Sequence, residues 1–166
     1  DICLREIAKN GRNLEALFML GNIAYAEESY TEAISFYQEA CDIQRDIPIL
    51  LNNMGLALKD GERQAEALLA LDRALSLSPD YAVAHYNRAL VLAKMGRDDD
   101  AVEAYLKAID SRPGYSEAFK NLGAIHFRND RHEEALRCFE QGLALEPDNA
   151  DFLFNMGSVF AAQLNY

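Results

Sequence analysis

Residues 82–115 read AVAHYNRALVLAKMGRDDDAVEAYLKAIDSRPGY, and residues 116–149 read SEAFKNLGAIHFRNDRHEEALRCFEQGLALEPDN. Laid one above the other, the two stretches match in register. Ala89 lies over Gly123, Ala101 over Ala135, Tyr105 over Phe139, Ala108 over Gly142 and Pro113 over Pro147. The same ladders continue upstream through Gly21 and Gly55, Ala33 and Ala67, Tyr37 and Leu71, Ala40 and Ala74, and Pro79; Gly157 extends the first one downstream. Self-similarity at one interval of roughly 20–50 residues is the mark of a stacked repeat, because a single unit cannot bury its apolar face alone. The ladders divide the chain into four whole units, 14–47, 48–81, 82–115 and 116–149. Residues 1–13 read as the end of a preceding unit and 150–166 as the first helix of a further or capping one.

Each unit reads as two antiparallel helices. In the third, Ala82 to Lys94 forms one helical run, and Met95-Gly96-Arg97 is a turn whose glycine suits a left-handed helix end. Asp98 to Asp100 open the second helix, where acidic side chains meet unpaired amides and the positive end of the dipole. Ala101, Val102, Tyr105, Leu106 and Ile109 give that helix an apolar stripe, and Arg112-Pro113 ends it. Small residues recur where only Gly or Ala lets two helix backbones approach to close-packed distance.

These residues carry a resemblance to the tetratricopeptide repeat family. Its pattern is matched best by Phe119, Leu122, Gly123, Ala135, Phe139, Gly142 and Pro147; Arg45 replaces the proline of the first unit, and the third has His85, Arg88 and Ala89 where a large apolar residue, Leu and Gly are usual. The resemblance spans essentially the whole chain as a single repeat domain. It implies an all-α, right-handed superhelical solenoid of about ten helices, whose first helices line a concave surface.

Composition narrows the function. Half the residues are apolar and 26% are charged, so the chain is neither disordered nor membrane-embedded. No stretch approaches the roughly 18 apolar residues of a bilayer span. The formal net charge of −11 argues against nucleic acid, whose affinity rests on cationic contacts to phosphate. Cys3, Cys41 and Cys138 are odd in number and lack metal or redox spacing; a reducing compartment, the cytoplasm foremost, is favoured. His85, His126 and His132 occupy different places in their units, and Asp98-Asp99-Asp100 lacks the alternating ligands of a calcium loop. With no phosphate loop or serine elbow either, the reading is of a chain that is not an enzyme and needs no cofactor or metal.

On the face that lines the groove in this family, one place reads Met19, Asn53, Asn87, Asn121, Asn155. A carboxamide both donates and accepts, so a row of them could hold an extended peptide backbone with little regard to its side chains. Similar asparagine ladders do so in the repeat arm of O-linked N-acetylglucosamine transferases and in armadillo-type importins. Around the row the same stripe holds Phe18, Asn22, Tyr25, Tyr86, Leu90, Phe127 and Phe154, with aromatic side chains as candidate anchors. Lys59, Lys94, Lys120 and Arg128 also fall on it, and a positive strip would favour acidic segments or a terminal carboxylate. The family's carboxylate clamp is missing its pairs: Lys120 is accompanied by Ala124, and Asn22 by Phe18.

The sequence therefore points to a scaffold that binds a protein or peptide partner in its groove. Two rivals stand beside it. The last helix carries Phe152, Leu153, Phe154, Met156, Val159, Phe160, Leu164 and Tyr166, too apolar for a free end, which suggests continuation or assembly with another molecule, a second copy included. The other rival is a substrate-recruiting arm of a larger enzyme, such as an O-linked glycosyltransferase.

Overall fold

The computed structural model describes residues 13–164. Within them the chain forms nine helices: α1 Leu14–Ala26, α2 Tyr30–Ile43, α3 Pro48–Asp60, α4 Gln64–Leu77, α5 Ala82–Lys94, α6 Asp98–Ser111, α7 Ser116–Arg128, α8 His132–Leu145 and α9 Ala150–Leu164. No strand occurs among the described residues. The expectation for residues 1–11, Cys3 included, and that for Tyr166 lie outside them.

Each helix packs chiefly on its neighbours in the chain, and α1, α3 and α5, like α7 and α9, also touch as successive first helices. The pairing follows from the small ladders. A Cβ built at Gly21 would stand 2.7 Å from Tyr37 Cδ1, one at Gly55 2.7 Å from Leu71 Cγ, and one at Gly123 2.8 Å from Phe139 Cδ1. In each case the large residue of the second helix occupies the notch left in the first. Ala33, Ala67, Ala101 and Ala135 are fully buried beside it. The third unit houses Ala89 against Tyr105 in the same place, both buried.

The turns within units repeat as well. Glu28, Glu62, Gly96 and Asp130, each 34 residues from the next, all have left-handed φ values between 57° and 73°. Glycine meets that requirement without a side-chain clash, as read from the sequence; the other three units place an acidic residue there.

α6 opens on Asp98, Asp99 and Asp100, as the sequence indicates. Arg97 is the cap residue, and no side chain caps the helix. The Asp98 carboxylate instead accepts from Arg128 and, at 2.9 Å, from Asn129 of the next unit, while Asp99 pairs with Arg131 at 3.1 Å. The aspartates tie units together.

Candidate functional site

The first helices bring the stripe residues to one face, but the asparagines do not form a free row. Asn87 is only 5% exposed, and its Nδ2 donates to Asn52 Oδ1 at 2.9 Å. Asn52, itself 3% exposed, donates to Asn53 Oδ1 at 3.1 Å. Asn53 in turn donates to Asn22 Oδ1 at 3.1 Å, which also accepts from the Tyr37 hydroxyl at 2.7 Å. A continuous chain of side-chain hydrogen bonds thus runs across α1, α3 and α5. The expectation that Asn87 faces a ligand is corrected on this ground: its amide satisfies a buried neighbour, and burying an unpaired carboxamide is costly.

The later rungs differ. Asn121 is half-buried, donates to the Tyr86 hydroxyl at 2.9 Å and also hydrogen-bonds the buried Tyr105. Asn155, half-buried on α9, has no hydrogen bond from its side chain among those residues.

Four of the five aromatics expected on the wall pack between helices. Phe18 lies against Tyr37 with ring centroids 6.2 Å apart, Tyr25 against Tyr30 at 5.7 Å, and Phe127 against His132 at 5.7 Å. Tyr86 packs against Tyr115 at 4.8 Å and Tyr105 at 5.8 Å, both rings tilted to it. Burial, followed by the hydrogen bond to Asp60, pushes the Tyr25 phenol well above its ordinary value. Leu90 is half-buried against the core. Phe154 alone stands out, 76% exposed.

The cations are all partnered. Lys59 pairs with Asp60 at 3.0 Å, Lys94 with Glu62 at 2.7 Å, Lys120 with Asp151 at 2.9 Å, and Arg128 with Asp98. The hydrogen bond to Asp151 holds the Lys120 ammonium above its ordinary value. The stripe is a set of ion pairs, three of them bridging consecutive units, and not an open positive strip.

Other reactive groups are absorbed into packing. Burial pushes the Cys138 thiol up to about 11 and raises that of Cys41, so both are poor nucleophiles. His85 Nε2 lies 2.7 Å from the Pro79 carbonyl. No group of three metal-ligating side chains occurs among the described residues, and none of their helices is long and apolar enough to cross a membrane.

Sequence reasoning did not single out Asn52. Its signal was available: it interrupts, with a polar residue, the ladder that holds Phe18 and Tyr86, and it stands beside Asn53.

Three family models match, two described as tetratricopeptide repeat over residues 3–46 and 80–148 and one as TPR repeat over 57–96. No curated protein matches. Among solved structures, MamA is 28% identical over 89% of this chain and 86% of its own, with a TM-score of 0.82. YrrB, described as a TPR protein with an unusual peptide-binding site, is 24% identical over 89% and 76%, with a TM-score of 0.75. PilF of Pseudomonas aeruginosa is 19% identical over 92% and 70%, with a TM-score of 0.83. The last two speak to the fold alone. Their common architecture is the repeat solenoid, and modules of this family are typically non-catalytic. The chain belongs to the tetratricopeptide repeat family and is built as a protein–protein interaction scaffold.

Proposed function

We propose that the chain holds an extended segment of a protein partner along its first-helix face, gripping the partner's backbone through Asn53, Asn121 and Asn155. The observation that carries this reading is the state of Asn121. Its carboxamide is held by the Tyr86 hydroxyl and by Tyr105, so its orientation is set before a peptide arrives. Such pre-organisation removes part of the ordering cost of binding. Asn155 offers an uncommitted carboxamide one unit further on, and Asn53 keeps a second N–H and a second lone pair beyond those used in the chain of amides. Each bond contributes only about 0.5–1.5 kcal/mol, so the grip is collective. Because the flanking cations are ion-paired, the selected segment is not required to be acidic.

The test is a peptide selected on the chain from a displayed random library. Asn121→Ala combined with Asn155→Ala weakens its binding by roughly tenfold while helicity is unchanged. Equal affinity for the double variant and the parent overturns the reading.

A second reading draws on α9. Leu153, Phe154, Phe160 and Leu164 are all exposed, Leu164 by 86%, and together they suit self-association. Sedimentation that is independent of concentration overturns it.

A further inference from the structure

The ladder that contains Tyr81 and Tyr115 runs from Asn13 through Ile47. In the third unit, Tyr115 fills the space at the start of the first helices: its ring lies 4.8 Å from Tyr86, and the Arg112 guanidinium covers it at 4.7 Å. At the corresponding place one finds Phe18 instead of Tyr86, and the shorter Ile47 instead of Tyr115. What remains is a pocket of about 170 Å³, lined by Leu14, Glu15, Phe18, Ile47, Ile49 and Leu50. Its exposed lining is wholly apolar; Glu15, an exposed residue that lines it through its carbon stem, forms no ion pair among the described residues. Ile49 is 50% exposed there. An apolar cavity of about 150 Å³ accepts a guest of benzene size.

We infer that this pocket receives an aromatic side chain of the partner, followed in its sequence by Lys or Arg that pairs with Glu15. Two observations support that occupant. A ring already fills the corresponding space within the chain, tilted 30° against the residue equivalent to Phe18 and lying beneath a cation. Glu15 belongs to a chain of net charge −11 and has no cation partner among the described residues. Phe18 lies one helical turn before Asn22, so the pocket adjoins the amide chain, and an anchored ring sets the register of a segment lying along it. The inference rests on the extended-segment reading and supplies its specificity.

The probe is the capped dipeptide acetyl-Tyr-Lys-amide, titrated against the methyl resonances of Ile47, Ile49, Leu14 and Leu50. These signals shift saturably with acetyl-Tyr-Lys-amide, roughly tenfold more weakly with acetyl-Tyr-Glu-amide, and not with acetyl-Ala-Lys-amide. Ile47→Tyr fills the pocket from within and abolishes the response; Ile49→Ser, at a half-exposed site, weakens it without disturbing the fold. Equal responses to the Tyr and Ala probes, no saturation with acetyl-Tyr-Lys-amide, or full binding by the folded Ile47→Tyr variant each overturn the inference. The Asn121→Ala, Asn155→Ala variant keeps the dipeptide response, because those residues sit in later units. Failure of the pocket is therefore distinguishable from failure of the backbone grip.

Discussion

Asn87 Nδ2 reaches across from one unit to the next and donates to Asn52 Oδ1 at 2.9 Å, with both side chains buried. The bond joins α3 to α5. In a stacked array, stability depends on such interfaces between nearest neighbours.

Asn87→Ala leaves the Asn52 carbonyl buried without its donor, and is expected to lower the unfolding free energy by about 1–3 kcal/mol in urea titrations. Asn155→Ala, which breaks no hydrogen bond among the described residues, should move it by no more than about 0.5 kcal/mol. Equal costs for the two would show that the amides are equivalent and that burial does not separate them.

The left-handed turn residues give a second pair of expectations. Gly96→Ala places a Cβ on a residue at φ 73° and should cost about 1 kcal/mol. Glu28→Gly, at φ 58°, removes an equivalent penalty and should raise the urea midpoint, the gain being reduced by glycine's freedom in the unfolded chain. A fall in midpoint for Glu28→Gly would contradict this.

His126 follows Leu58 and Leu92 at the repeat interval, and its Nδ1 is buried without a hydrogen bond. Burial, reinforced by Arg131 and Arg137 and opposed by Glu134, holds the imidazole below its ordinary value of 6.5. The unfolded chain therefore takes up a proton first. This contribution to stability is complete above pH 6.5 and is lost as pH falls through 6.5 towards the depressed folded value. His126→Leu should flatten the stability profile between about pH 5 and 7 and raise stability by about 1 kcal/mol. Thermal melts across that range check both, and an unchanged slope would rule out His126 as its source.

On α9, Phe154→Ser with Leu164→Ser removes the two most exposed large apolar side chains. Concentration-dependent sedimentation of the parent should diminish in the variant, with the helical signal retained. A parent and variant that sediment alike would locate any association elsewhere.

The helix starts at Leu14, Pro48, Ala82, Ser116 and Ala150 were legible because periodic small residues, turn glycine and proline act through local sterics. The stripe of residues on the first helices was legible for the same reason: an angle of about 100° per residue places them on one side. Which member of the stripe meets solvent was not. Asn87 and Asn121 share a place in the repeat, yet one donates to Asn52 and the other to Tyr86, because the residue 35 positions earlier differs. Lys120 pairs with Asp151 of the next unit, a partner that helix spacing within its own unit does not reveal.

By itself, then, the order of residues determined the period, the paired helices and the family, since each depends on spacing along the backbone and on side-chain size. Only the tertiary structure decided that the amides form a bonded chain across three helices, that three of the four stripe cations pair with neighbouring units, and that Ile47 lines a pocket while Tyr115 packs on Tyr86. Those outcomes depend on contacts between units, where a side chain's partner is chosen by what the adjoining helix presents.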